Sequence, residues 1–295
     1  MQAVTFPEYP FPSHFLDLNG IQYHYLDEGA GEPIVMLHGN PTWSFYYRRL
    51  VLALRDQYRV IVPDHVGCGL SDKPDDSRYR YTLASRVHDL EALLDHLGIN
   101  EKLTLVLHDW GGIIGMAYAS RRPKRIKRLI VLNTAAFHLP PSTKLPWSLR
   151  IFRLPLLGAF LARGFNAFCR GAATHCCTRR LMTPDIRQAY LAPYDSWKNR
   201  IAVIRFVQDI PLKPGDTCYD LVKEIQNGLS HFLAVPMLIC WGEKDFVFDR
   251  DFLAEWQRRF PQAEVHRFAD AGHYVLEDAS EEIIGLVREF LKNHP

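Results

Sequence analysis

The chain has 295 residues, of which 47% are apolar and 23% charged, with a formal net charge of +2. That length holds one large α/β domain with an insertion, or two small domains, and the near-neutral balance gives no global argument for nucleic acid as a partner. No apolar run reaches the roughly 20 residues that span a bilayer, residues 1–16 lack the basic start and apolar stretch of a signal peptide, and six scattered cysteines without a CxxC pair point to a reducing cytoplasm and to no zinc site.

The first half alternates strand and helix. Residues 21–26 and 33–37 read as strands, 43–54 as helix and 59–63 as strand. Residues 83–97 have helical spacing, with apolar side chains at 83, 87, 90, 93, 94 and 97. Residues 104–108 form the next strand, 113–120 a helix and 129–132 another strand. Short apolar runs alternating with helices imply a parallel sheet covered on both faces. The alternation stops near Asn133. From 137 to about 229 the chain reads as helices punctuated by proline. Strands return at 237–241 and 264–268, with helices at 252–260 and 281–293. The expected class is therefore α/β, a mostly parallel sheet flanked by helices built from residues 1–135 and 230–295, with an inserted helical cap at 136–229. No internal repeat or low-complexity tract interrupts it.

The first part of the insertion has a one-sided charge pattern. Residues 110–184 contain no Asp or Glu, while arginines at 150, 153, 163, 170, 179 and 180 are interleaved with Leu, Phe and Ile. The plainer reading is a solvated cap surface. The sharper one is a basic, apolar face for lipid or for an acidic partner.

The chemistry centres on Asp109. In Leu107-His108-Asp109-Trp110-Gly111-Gly112 an apolar strand meets a tight turn and a helix begins at two glycines. This is the layout of a nucleophile elbow, with a carboxylate where serine is usual. A carboxylate nucleophile attacks sp³ carbon and leaves an alkyl ester on the enzyme, which favours cleavage of C–halogen or C–O bonds. The plainer role for Asp109 is a helix N-cap. His273 follows a glycine after the last strand, in Asp270-Ala271-Gly272-His273-Tyr274, and Asp245 follows the preceding strand. Nucleophile, acid and histidine in that order is the α/β-hydrolase order. Asp249 and Asp251 read as the start of the next helix, Asp270 and Asp278 as solvated loop residues, and His38 and His108 as structural histidines. The strand before the cap ends in Asn133-Thr134 and offers no alternative carboxylate. His38-Gly39-Asn40-Pro41 follows another strand, where backbone N–H groups of Asn40 and Trp110 would form an oxyanion hole. The Asn40 amide and Trp110 indole are further N–H donors for a leaving anion. Their plainer roles are a turn residue before proline and packing.

Three stretches carry a family resemblance. His38-Gly39-Asn40-Pro41-Thr42, the run from Pro63-Asp64-His65 to Asp72-Lys73-Pro74, and His108-Asp109-Trp110-Gly111-Gly112 resemble the haloalkane dehalogenase family. The resemblance implies Asp109 as nucleophile, His273 as base, Asp245 as acid, and Asn40 and Trp110 as halide donors. A closer resemblance runs through the cap. Leu132-Asn133-Thr134-Ala135-Ala136-Phe137, the run from Ala192 to Arg200, Phe206-Val207-Gln208-Asp209-Ile210-Pro211 and Asp245-Phe246-Val247-Phe248-Asp249 resemble the β-lactone decarboxylases of bacterial long-chain olefin biosynthesis. That resemblance implies conversion of cis-3,4-dialkyl-β-lactones into cis-alkenes and CO₂, in an assembly with other enzymes of the pathway.

The expected activity is thus a β-lactone decarboxylase acting on a hydrophobic small molecule, with haloalkane dehalogenase as the alternative. Epoxide hydrolase would need two cap tyrosines, from Tyr190, Tyr194 and Tyr219. A non-catalytic binding protein of this fold would be expected to have lost Asp109 or His273. No cofactor or metal is expected. The expected setting is cytoplasmic, with peripheral membrane contact through the basic cap left open.

Overall fold

The computed structural model describes residues 6–295. Eight strands form one sheet: β1 (His14–Asp17), β2 (Gln22–Glu28), β3 (Pro33–Leu37), β4 (Arg59–Pro63), β5 (Leu103–Asp109), β6 (Ile126–Thr134), β7 (Met237–Gly242) and β8 (Glu264–Phe268). Their order across the sheet is β1-β2-β4-β3-β5-β6-β7-β8. From β4 to β8 every pair is parallel, while β1–β2 and β2–β4 are antiparallel. This is the α/β-hydrolase architecture.

The central strands are buried along their length, and their alternating residues feed two separate cores. Val35, Leu37, Leu105, Leu107, Val131 and Ile239 face one core, shared with α2 (Leu83–His96), α3 (Trp110–Arg121) and α10 (Arg250–Arg259). Ile34, Met36, Val106, Ile130, Leu132 and Leu238 face the other, shared with α1 (Arg48–Leu54) and α12 (Ser280–Asn293). A one-residue slip of any central strand would exchange these sets, so the register is strongly specified.

Between β6 and β7 the chain is helical: α4 (Trp147–Arg153), α5 (Pro155–Ala159), a π-helical turn at Phe160–Gly164, α6 (Ala167–His175), α7 (Pro184–Leu191), α8 (Ile201–Gln208) and α9 (Tyr219–Gly228). The short α11 (Val275–Asp278) precedes α12. Two ties hold α8 and its following turn to α2. Asp209 accepts a 2.7 Å bond from the Leu83 N–H, and Arg86 donates to the same carboxylate.

The sequence misses β1, a four-residue edge strand with alternating half-buried and exposed positions, too short to stand out. The expected helix at 43–54 begins as a 3₁₀ turn at Ser44–Tyr47 before α1. The arginines of the insertion are also less free than a solvated face implies. Arg153 donates to the carbonyls of Val207, Gln208 and Ile210, at the unsatisfied C-terminal end of α8. Arg179 pairs with Asp270 and Glu282.

Candidate active site

β5 ends in Asp109, whose φ of 50° and ψ of −126° lie outside the ordinary regions for a side-chain-bearing residue. Such backbone is held only where its surroundings over-determine it. Here three features do so. The Thr134 hydroxyl donates to the Asp109 carbonyl. A Cβ on Gly39 would stand 1.9 Å from the Asp109 Oδ1, so only glycine lets the loop after β3 close over the carboxylate. A Cβ on Gly111 would meet the Leu37 carbonyl oxygen at the same distance, which explains the first of the two glycines opening α3.

The carboxylate is buried and looks toward two loops. The Asn40 N–H donates to Oδ1 at 2.7 Å, and the Trp110 N–H also faces the group. On the other side His273 Nε2 stands 3.7 Å from Oδ2. His273 Nδ1 donates to Asp245 Oδ2 at 2.8 Å. Asp109, His273 and Asp245 thus form one continuous line, brought together from the ends of β5, β8 and β7.

Asp245 is held by more than the histidine. Its Oδ1 accepts the N–H groups of Val247 and Phe248 at 2.7 and 3.1 Å, and its Oδ2 accepts Asn133 Nδ2 at 3.0 Å. Asn133 also bonds both backbone groups of Gly242. Sequence reasoning weighed Asn133 only as a missing carboxylate. The available signal was a polar residue at the end of an otherwise apolar strand.

Charge follows from burial and neighbours. Burial raises the Asp109 carboxyl above its ordinary range, with the His273 charge and the two backbone donors opposing. Asp245 adds to the rise, which wins on balance. Burial alone would lower His273, but the attraction of Asp245, its hydrogen bond and the charge of Asp109 together hold the imidazole above its usual value.

The other expected residues separate into groups. The Trp110 ring lines the cavity in front of Asp109 and packs on Phe206 at 5.3 Å, with the Arg86 guanidinium 5.7 Å from its centre. Asn40 also lines the cavity, but its Nδ2 donates to the Val203 carbonyl at 3.1 Å. Part of its donor capacity is therefore committed. His38 is locked between the Gly39 carbonyl and the His65 N–H. His108 is stacked on Tyr46 and donates to the His273 carbonyl. Asp249 caps α10. Asp278 departs from expectation: it is buried and accepts the N–H groups of Gly272 and Thr178, tying the His273 loop to the helical insertion. The sequence could not show this, because its donors lie 6 and 100 residues away.

The tyrosines required by an epoxide hydrolase are elsewhere. Tyr190 donates to Glu277, Tyr194 to the Thr42 carbonyl, and Tyr219 stacks on His138. Among the described residues no tyrosine lines the cavity that holds Asp109 and His273.

That cavity has a volume of about 650 Å³. Apart from the polar end formed by Asn40, Asp109, Trp110 and His273, its walls are largely apolar. They include Phe137, Leu149, Phe152, Phe168, Val207 and Phe248, drawn from both the sheet loops and the helical insertion. A few convergent polar groups at one end of an apolar chamber suit an elongated hydrophobic ligand with one reactive polar group.

The family model described as the alpha/beta hydrolase fold matches residues 32–280. The cis-3-alkyl-4-alkyloxetan-2-one decarboxylase of Shewanella oneidensis is 60% identical over 282 residues, spanning 96% of this chain and 89% of its own. The protein of that name from Xanthomonas campestris pv. campestris is 50% identical over 300 residues, spanning 99% and 100%. Among solved structures, a haloalkane dehalogenase from Agrobacterium tumefaciens superposes with a TM-score of 0.85 at 25% identity, over 96% of this chain and 97% of that one.

Proposed function

We propose, from the premise that the chain belongs to the α/β-hydrolase-fold family and to its cis-3-alkyl-4-alkyloxetan-2-one decarboxylase branch, that it converts such β-lactones into cis-alkenes and CO₂. The observation that carries the substrate is the whole-length similarity to the two decarboxylases. The reaction type is supported by the buried carboxylate on its strained turn, facing an apolar cavity.

In this reading a carboxylate oxygen of Asp109 attacks lactone C4 from the side opposite the ring oxygen. The C4–O bond breaks and its electron pair stays on that oxygen. The result is an alkyl ester of Asp109 and a free carboxylate on C3. Loss of CO₂ then sends the C–C bonding pair into the new double bond and expels Asp109 as a carboxylate. Inversion at C4 followed by anti elimination turns a cis lactone into a cis alkene, and no water is consumed. The N–H groups of Asn40 and Trp110 would stabilise charge on the Asp109 oxygen that does not react. The Trp110 indole and the remaining Asn40 donor would brace the carboxylate released on the substrate.

His273 has a natural role in such a sequence. Its raised pKa favours the imidazolium, which sits 3.7 Å from Asp109 and favours that group leaving as an anion. Water activation in a dehalogenase would instead need the neutral ring. Asp245 and, through it, Asn133 set the ring's orientation. The helical segment 136–229 acts as a cap over the cavity. The compartment proposed is the cytoplasm, supported by six unpaired cysteines. No helix among the described residues is long and apolar enough to cross a membrane.

The test is a side-by-side assay of a long-chain cis-β-lactone and a 1-haloalkane with wild type and Asp109→Ala. Alkene from the lactone, lost in the variant, is expected. Halide release without alkene would overturn the lactone reading and support hydrolytic dehalogenation. Alkene formation by Asp109→Ala above a tenth of wild type, a loss of less than about 1.4 kcal/mol, would remove Asp109 from the chemistry.

A further inference from the structure

Twelve large apolar side chains are exposed among the described residues, and six of them fall between positions 147 and 165. They are Trp147, Leu154, Leu156, Leu157, Phe160 and Phe165, on α4, α5 and the turns that follow. Leu156 is 87% exposed and Trp147 76%. Single exposed apolar residues need no explanation, but half of the total concentrated in 19 consecutive positions does. Phe160 and Phe165 meet edge to face at 5.1 Å.

Two further observations say what covers this face. The first is charge. Residues 110–184 carry no carboxylate side chain, and Arg150 and Arg170 are exposed beside the apolar residues in sequence. Arg163 lies over the Trp197 ring at 4.7 Å, another exposed aromatic. Arginine with tryptophan, phenylalanine and leucine on short helices is the composition of an interfacial segment that sinks its apolar side into the acyl boundary and leaves its cations among anionic headgroups. The second is continuity with the cavity. Trp147 is both exposed and part of the cavity wall, and so is Phe246. The exposed face therefore runs into the mouth of the chamber that ends at Asp109.

We propose that the face made by α4, α5 and the π-helical turn at Phe160–Gly164 docks on an anionic phospholipid surface. In its docked position the cavity mouth at Trp147 meets the acyl region. This second point rests on the proposed lactone substrate: a dialkyl lactone entering from lipid never exposes its chains to water, which would otherwise cost about 0.8 kcal/mol per CH₂.

The experiment uses the full chain and vesicles of phosphatidylcholine with and without phosphatidylglycerol, read by co-sedimentation. Wild type should bind the anionic vesicles at low salt. At about 1 M salt, where the screening length is near 3 Å, its binding should fall to the level seen with neutral vesicles. The double variant Leu156→Ser/Leu157→Ser should lose binding to both vesicle types. Arg150→Glu/Arg170→Glu should lower binding to anionic vesicles about tenfold or more, with neutral vesicles unaffected. Brominated acyl chains should quench the fluorescence of wild type more than that of Trp147→Phe. Binding is measured without turnover, so failure of the lactone assay leaves this result standing. Conversely, the serine variant should keep wild-type turnover of a short, soluble lactone. The proposal is overturned if wild type fails to bind anionic vesicles at low salt, or if the serine variant binds as well as wild type. It is equally overturned if vesicle binding is absent and the serine changes instead abolish self-association, since a second copy would then cover this face.

Discussion

Replacement of Asn133 by alanine is the sharpest test of how the site is held. The side chain makes three bonds: to Asp245 Oδ2 at 3.0 Å, to the Gly242 carbonyl at 3.0 Å, and from the Gly242 N–H at 2.8 Å. The first involves a charged acceptor, and such bonds contribute about 1.5–3 kcal/mol. Removing the third leaves the buried Gly242 N–H unpaired, at about 1–3 kcal/mol, while the Gly242 carbonyl keeps the Asp245 N–H at 3.4 Å. Asn133 also has φ at +35°, a conformation alanine tolerates less well. A water entering the vacated space would recover part of this. The expected loss is therefore about 3–5 kcal/mol, a large share of the roughly 5–15 kcal/mol that holds a typical protein. Urea denaturation followed by far-UV circular dichroism measures it. Asn133→Asp separates geometry from bulk: it keeps the size but sets a second carboxylate against Asp245. It should lower kcat more than it raises KM, because it disturbs the Asp245–His273 bond and leaves the cavity walls intact. A stability loss below about 1 kcal/mol for Asn133→Ala, with unchanged turnover in both variants, would refute the reasoning.

Other outcomes follow from the same geometry. Asp109 has a folded-state pKa above its unfolded value, so its charged form is disfavoured by folding, and its cost to stability grows as pH rises through the raised value. Asp109→Asn should therefore be more stable than wild type at pH 7, and thermal melts should show that advantage fading toward the ordinary aspartate range near 3.8. His273 behaves oppositely: its contribution is complete below the unfolded value of 6.5 and is lost as pH rises through the raised folded value, so the stability gap between wild type and His273→Ala should narrow on going alkaline. If water were the second reactant, His273→Ala would accumulate an ester on Asp109. In the proposed reaction the variant should still release alkene, slowly, and mass spectrometry of its Asp109 peptide should show any ester disappearing as alkene forms. Gly39→Ala places a methyl group on the Asp109 carboxylate and should cut turnover at least a hundredfold on the scale of other misplaced catalytic groups, about 10². Wild-type rates from a folded Gly39→Ala protein would show that the loop after β3 moves freely.

Much of this protein was legible in its residues. β3 and β4 have the bounds their apolar runs imply, because short buried strands between helices are a local signal, and β8 also has the expected bounds although only Phe268 in it is buried. The turn at Asp109 was legible because a sharp strand-to-helix transition demands glycines whose spacing is visible. The order of Asp109, Asp245 and His273 was likewise a property of the chain. What the sequence did not carry was the set of contacts between elements far apart in it. Asn133 reaches Asp245 across 112 residues, Asp278 gathers donors across 100, and Arg153 caps α8 across more than 50. The three tyrosines looked alike as letters, and packing alone directed their hydroxyls and rings away from Asp109. The shape of the cavity and the exposure of Trp147 and Leu156 depend on how the helices after β6 fold back over the sheet. Local propensity and hydrophobic period determine which segments become strands and helices. Side-chain partners, burial and the pKa shifts that follow from them exist only once the tertiary fold has removed water from those positions.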